Sequence, residues 1–468
     1  MAGAAAGALG GAGIYELVDR LSPGVSRPPV AAPPAELLAA SPEQHLLGGL
    51  AVINRNGVEV IVPPLHHMVV TATVRAKTTK ELKDARAALE ATLVRLEREF
   101  PATPSGVGIT VAWGLPYFRR RVPKLADRYL PIDLRASKQK GREVRTLIDA
   151  VRFPSDPSAT ILEANEAAVL IRSDHLDHIH TVEKALFTDL DVFRKTSIRR
   201  GFVGGGFEGG PGLPKQLATA AGVRGADLIP HGSELFLGFT STQRAALGPT
   251  RIANVETLGY STGGPGGYFR RGTHMHLSHM SEDLEFWYVN FTYGERVATA
   301  FRPGLNPHDG TQTIAQGPKG VGTTTAVRRD YNNMGVIGHS QAIQTTSRLL
   351  RDVRGSDGTL YPKGTAIPHR ADFNTLDNPF YWTADPNGDN YDPDAAAGLH
   401  FVVFNPTSDD FHRNRLAMDG VLPDGTKLKF EQGDRGQGIN SVLHVTHRQN
   451  LIVPPRVHRS FPLVELLA

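Results

Sequence analysis

Two stretches in which a strand hands over to an amphipathic helix, with further strands behind it, constrain this chain more than any other feature. In the first, His67 to Ala76 (HMVVTATVRA) is rich in β-branched residues, and Thr79 to Glu99 sets Leu82, Ala85, Ala88, Leu89, Leu93 and Leu96 at helical spacing. Gly108 to Gly114 (GITVAWG) reads as a second strand, Ala167 to Arg172 (AAVLIR) as a third, and Leu176 to Leu186 as a second helix. This is the β-α-β-β-α-β order of a ferredoxin-like unit. The second stretch repeats the order with longer insertions. Gly272 to Ser278 alternates as a strand, Met280 to Tyr288 and Glu295 to Phe301 read as helices, Gly398 to Phe404 (GLHFVVF) is an apolar strand, and a helix from about Asp409 to Met418 stops at Gly420. The expected fold is α+β: tandem ferredoxin-like units whose antiparallel sheets pack or close into an α/β barrel. Residues 1–60 are expected as leader and linker, 61–200 as the first half and 201–468 as the second, joined by the Gly- and Pro-rich interval Gly201 to Pro214. Gly304 to Gly322 and Asp377 to Ala397 are loops of a length that suits lids or pocket walls.

At 468 residues the chain exceeds what one hydrophobic core usually serves, which agrees with two fused units. Beyond the N-terminus no segment approaches the roughly 20 apolar residues that span a bilayer. Lys plus Arg (51) exceeds Asp plus Glu (47) only slightly, and apart from Arg119 to Arg121 the basic residues are scattered, so nucleic acid is not expected as a partner. The absence of cysteine removes thiolate catalysis, iron–sulfur clusters and zinc–thiolate sites together, and leaves His or carboxylate as the only strong metal ligands. Met1 to Tyr15 is almost wholly Ala, Gly, Leu and Ile, and a Pro-rich stretch from Pro23 to Pro34 follows. This pattern resembles the core and processing region of an export signal, so the protein is expected outside the cytoplasm. A twin-arginine route would require paired arginines upstream of the given start.

The motifs carry a family resemblance when taken in order. Gly206 to Pro214 (GFEGGPGLP) lies between the halves, Gly272 to Pro303 carries a strand, a short helix and a Glu295-Arg296 pair, and Gly338-His339-Ser340 follows. Next come Arg370 in HRADFN and then Gly398 to Gly420 as a strand, turn and helix; Ile109 to Phe118 and Ala168 to Asp174 supply strands of the first half. Over roughly residues 65 to 460 this series resembles the dye-decolorising peroxidases. The resemblance implies haem b in the C-terminal half, His339 as the iron ligand and Arg370 over the other haem face. It also implies hydrogen peroxide and an organic reductant as partners, and it leaves room for a homo-oligomer. One position departs from the family: Gly209 stands where its aspartate lies over the haem.

The chemistry of these side chains fits such roles. A neutral imidazole binds iron directly, and a guanidinium stabilises negative charge as an O–O bond breaks. Asp372 and Asn374 alternate with Arg370 and should share its face, while His369 points the other way. Glu208, beside Gly209, is the tentative proton carrier. Arg271 and His276 could meet haem propionates. Without the aspartate, a haem-binding protein that does not turn over, serving carriage or sensing, stays open as a second function. A third is a metal-dependent hydrolase built on His274, His276 and His279, although Ser278 stands where the related hydrolase motif has an aspartate.

Overall fold

In a computed structural model the described residues are 13–21, 41–55, 58–205, 210–240, 244, 251–305, 322–380, 382–389, 391–430 and 435–468. Eight strands form the frame. The first half gives β1 (His66–Val74), β2 (Gly108–Gly114), β3 (Ala167–Ser173) and β4 (Phe193–Phe202); the second gives β5 (Thr273–Glu282), β6 (Phe373–Thr375), β7 (Gly398–Asn405) and β8 (Leu443–Val453). Within the first half the antiparallel order is β4-β1-β3-β2. Within the second it is β8-β5-β7-β6. Each half thus places its fourth strand beside its first and its third beside its second, the order of a ferredoxin-like sheet. Two seams, β4 against β6 and β2 against β8, join the halves, so the eight strands close into a ring. The expected α+β architecture of tandem ferredoxin-like units is what the structure has.

The pleat sorts the side chains. Val69, Ala112, Leu170, Leu277, Val402, Phe404, Leu451 and Val453 point into the barrel and pack as one cluster. The residues between them point outward. On the first half they meet α1 (Thr79–Glu99), which buries Leu82, Ala85, Leu89, Leu93 and Leu96, and α2 (Leu176–Lys184), which buries Ile179 and Val182. Thr78 and Glu81 cap α1 reciprocally, each side chain accepting the other residue's backbone N–H. On the second half α6 (Ser408–Met418) packs Phe411 on the outer face against Val403, while α3 (Leu284–Asn290), α4 (Tyr293–Ala300) and α5 (His339–Ser347) bury their apolar residues in separate clusters beside it.

The boundaries differ from the sequence reading in three places. The strand that begins at Thr273 runs on to Glu282, and the helix starts only at Leu284, because Asp283 is its N-cap and accepts from the Phe286 amide at 2.9 Å. The last strand is Leu443–Val453, not Gly398 to Phe404. Gly201 and Phe202 belong to β4 rather than to the connector, and Gly201 is required there: a Cβ would stand 2.1 Å from the Asn374 carbonyl oxygen across the seam. Of the two long loops, residues 306–321 lie outside the described ones. The other sends Trp382–Thr383 to pair with β4 and drops Phe380 onto one end of the barrel.

No helix among the described residues is long and apolar enough to cross a membrane. Residues 1–12 of the expected leader lie outside the described chain, but the helix Gly13–Leu21 docks on the β4–β6 seam with Ile14, Tyr15 and Val18 buried. The Tyr15 hydroxyl donates to the Arg200 carbonyl (3.1 Å), meets Thr375 Oγ1 (3.0 Å) and accepts from the Leu376 amide (3.2 Å), which ties both seam strands to one atom. Tyr15→Phe strands those buried groups and is expected to lower the unfolding free energy by about 1–3 kcal/mol in urea titrations; an unchanged midpoint would show that the helix does not hold the seam.

Candidate functional site

The outer face of the second half is covered unevenly. At one end α6 lies close on the sheet: Phe411 stacks on His276 with ring centroids 3.4 Å apart, and Arg415 joins Asp156 (3.2 Å) and Asp419 (2.7 Å) while Arg448 of β8 reaches the same Asp156 at 2.6 Å. Next to it Phe401, whose ring lies 6.1 Å from Phe411, and beyond it Met280 remain half-buried although their strands have partners on both sides. Here the sheet offers an apolar floor that no helix among the described residues fully covers.

Arg370 and Asp372 stand beside that floor. Residues His369 to Thr375 run in unbroken register against β7, from His369 opposite Phe404 to Thr375 opposite Gly398. Arg370 and Asp372 therefore face outward together, and His369 faces the lumen, where its ring lies 5.6 Å from His45 and 5.5 Å from Phe404. The Arg370 Nε donates to Asp372 at 2.8 Å and its Nη2 donates to the other carboxylate oxygen, a bidentate grip. Nη1 has no hydrogen-bond partner among the described residues, and the guanidinium lies 5.6 Å from the Phe401 ring centre.

His339 opens α5. Its ring is half-buried, and Nδ1 is buried with no hydrogen-bond partner among the described residues. Burial, then the nearby Arg370 and Arg415, hold its pKa down to about 3, so the imidazole is neutral and close enough to both cations to feel them. The structure thus brings His339, Arg370 and Asp372 into one neighbourhood. A cavity of about 60 Å³, lined by His67, Arg172, His369 and Phe373 together with Arg370 and Asp372, lies at the lumenal end beside the Arg370 strand. It has room for one or two molecules the size of water.

The other expected residues go elsewhere. Asn374 donates to the Glu234 carbonyl at 3.0 Å and belongs to the seam. His276 is engaged at both nitrogens, by Asn450 (2.7 Å) and Ser278 (2.9 Å). Arg271 pairs with the buried Glu43 at 3.1 Å. Glu295 is half of a capping box with Thr292. Glu208 and Gly209 lie outside the described residues. His274 and His276 face outward but His279 faces the lumen, so the three cannot converge, and no group of His, Asp and Glu among the described residues is arranged to hold a metal ion.

Three lumenal histidines, of which only His279 stood out in the sequence, come together in the fold. His400, His279 and His447 stand side by side in register on β7, β5 and β8, all inside the barrel. His279 and His400 are 5.0 Å apart, Phe380 covers His447 at 4.4 Å, and the buried Arg199 pairs with Glu163 beside them. Four ring nitrogens here, His279 Nε2, both of His400 and His447 Nε2, are buried without hydrogen-bond partners among the described residues, and Asp389 lies 3.9 Å from His447 Nε2. Their tight register on three neighbouring strands was the available signal.

Comparison with known proteins agrees with this fold. The model of a family of unknown function, DUF7405, matches residues 64–455. The DyP-type peroxidase from Cellulomonas bogoriensis superposes with a TM-score of 0.50 at 15% identity, over 89% of this chain and 96% of that one. A dye-decolorizing peroxidase from Bacteroides thetaiotaomicron gives 0.45 at 12%, over 88% and 98%. A DypB variant from Rhodococcus jostii in complex with heme gives 0.45 at 10%, over 85% and 96%. At these identities the likeness concerns the fold. No curated protein sequence matches the chain.

The buried histidines make stability acid-sensitive. Burial is the first cause in each case: it pushes His45 and His447 to about 3, His274 to about 4, and His276, His279, His369 and His400 well below the ordinary value. The unfolded chain then binds more protons than the folded one at every pH between these values and about 6.5. Their contribution is intact above pH 6.5 and is lost as pH falls. Each histidine removes up to about 1.4 kcal/mol per pH unit in that window, so urea unfolding at pH 7.5 and 5.5 should differ by several such steps. A flat profile across that interval would contradict burial of neutral imidazoles.

Proposed function

This chain belongs to the family of unknown function DUF7405, and we propose that it binds haem b through His339 and reduces hydrogen peroxide with electrons from an organic donor. One observation carries the reading: a neutral imidazole with an unpartnered buried nitrogen lies beside an arginine that an aspartate holds in place, next to a half-open apolar floor. The donor set suits haem, since imidazole is an ordinary axial ligand, Met280 and Phe401 offer apolar surface to a macrocycle, and the chain has no thiolate to compete. Bound haem would supply the redox-active iron that relays electrons from donor to peroxide. Arg370, always protonated, would stabilise developing negative charge on oxygen through its free Nη1, and Asp372 would keep that fork from swinging away.

The glycine at 209 favours a second reading, haem carriage or sensing without turnover, because it stands where the resemblance to dye-decolorising peroxidases implies a proton-carrying aspartate. Absorption spectra separate the possibilities. Haem-reconstituted protein should show a Soret band that His339→Ala loses or shifts to that of free haem. Addition of peroxide and a phenolic or dye donor should give oxidised donor in the wild type, and Arg370→Leu should slow this by about 10²–10³-fold, the usual cost of one charge-stabilising donor. Haem bound at His339 without peroxide-driven oxidation would select the carrier.

A further inference from the structure

We infer that Glu282 is the proton donor of the Arg370–Asp372 site; the inference rests on the peroxidase reading above and supplies the proton that a glycine at 209 cannot. Glu282 ends β5, and the alternation that turns His274, His276 and Ser278 outward turns it outward too, at the end where Met280 and Phe401 stay half-exposed. Its Oε2 is buried with no hydrogen-bond partner among the described residues. A buried carboxyl oxygen without a partner is held most cheaply when its group stays protonated.

The groups around it explain why it stays protonated. The charge of Asp372 reaches it from the β6 side, but Asp372 is already gripped by Arg370, so Glu282 is left with the repulsion and no ion pair among the described residues. From α3 comes Tyr288, whose ring carries the Arg296 guanidinium at 5.0 Å and whose hydroxyl is committed to the Phe236 carbonyl at 2.6 Å. Burial first, and Asp372 second, raise the Glu282 pKa to about 8. Two outward carboxyls on one floor are thus set to different tasks, one fixing the cation and one holding a proton at neutral pH.

Reduction of hydrogen peroxide breaks its O–O bond with two electrons from the organic donor, and both oxygens leave as water after two protons are taken up. Glu282 gives one of these protons from its carboxyl, becomes a carboxylate and is reprotonated from solvent. The donor is competent below about pH 8 and is lost as pH rises through that value.

Glu282→Gln keeps the shape and removes the proton. In the haem-free protein, an infrared pH titration should show a neutral-carboxyl band that disappears with a midpoint near pH 8 and is missing from Glu282→Gln. In haem-loaded protein, Glu282→Gln should leave the Soret band in place and slow the peroxide reaction by about 10²–10⁴-fold, the usual contribution of a positioned acid. Its alkaline limb should vanish as well, and Glu282→Asp should recover part of the rate. The inference is overturned if the wild-type band titrates in the ordinary carboxylate range, or if haem-loaded Glu282→Gln reacts at the wild-type rate. Failure of the wild type to take up haem would instead sink the functional reading and this role with it, which the infrared titration distinguishes from a misassigned carboxyl.

Discussion

Closure of eight strands into a ring leaves a lumen that only side chains can fill, and the rest of the structure follows from how this chain fills it. The middle is apolar, from Val69 and Ala112 round to Val402 and Leu451. The two ends are not. One holds Arg199 with Glu163 and the row of His279, His400 and His447 under Phe380; the other holds His45, His67, His369 and Arg172. Charged groups there would have to be paired, and the Arg199–Glu163 pair meets that condition. The histidines meet it by staying neutral, at the cost of ring nitrogens without partners.

A packed lumen pushes any sizeable ligand to the outside of the sheet, and the two halves differ there. Both have the same strand order. The first half lays α1, a 21-residue helix, and α2 across its outer face and buries Val70, Val111, Val169 and Ile171 under them. The second half divides the same task among shorter helices. Phe411 of α6 closes on His276, α3 packs with Phe202 and Leu376 and α4 with Leu305, and Met280 and Phe401 stay half-buried. Asymmetry between two units of one topology is therefore what leaves room for the candidate site, beside which α5 carries His339.

The polar lumen also decided which parts of the fold could be read from sequence. Thr79 to Glu99 was legible to the residue, because one face of that helix meets only apolar partners and its apolar spacing is undisturbed. Strands β2, β3 and β7 are apolar on both faces and stood out. Strands β4 (FRKTSIRRGF) and β8 (LHVTHRQNLIV) did not, although both are long and central. Inward positions include Ser197, Arg199 and Gly201 on one and His447 and Gln449 ahead of Leu451 and Val453 on the other, while Arg200 and Arg448 face outward into ion pairs. A strand whose two faces are both polar for reasons of tertiary pairing carries no period-two hydrophobic signal, so its existence could be inferred only from the requirement that each ferredoxin-like unit have a fourth strand.

The site was legible to the same degree and for related reasons. Arg370, Asp372 and the inward His369 follow from alternation alone, and the unbroken register from His369 to Thr375 is why that simple rule works there. Alternation could not show that Asn374, one step further, would be consumed by the β4 seam, since that depends on a strand the pattern concealed. His339 has no local signature at all: a glycine, a histidine and a serine at the start of a nine-residue helix are unremarkable, and only the order of motifs along the chain singled it out. Glu282 was hidden by a boundary. Met280 to Tyr288 read as a helix, which would have put Glu282 on a solvated surface. Asp283 is better understood as an N-cap with Phe286 at the third helical position, so the helix has to begin at Leu284. The alternation of His274, His276 and Ser278 then continues through Met280 to Glu282, which moves a carboxylate from solvent to the buried edge of the floor. A displacement of four residues in one helix start changes which acid the chain presents to its candidate site.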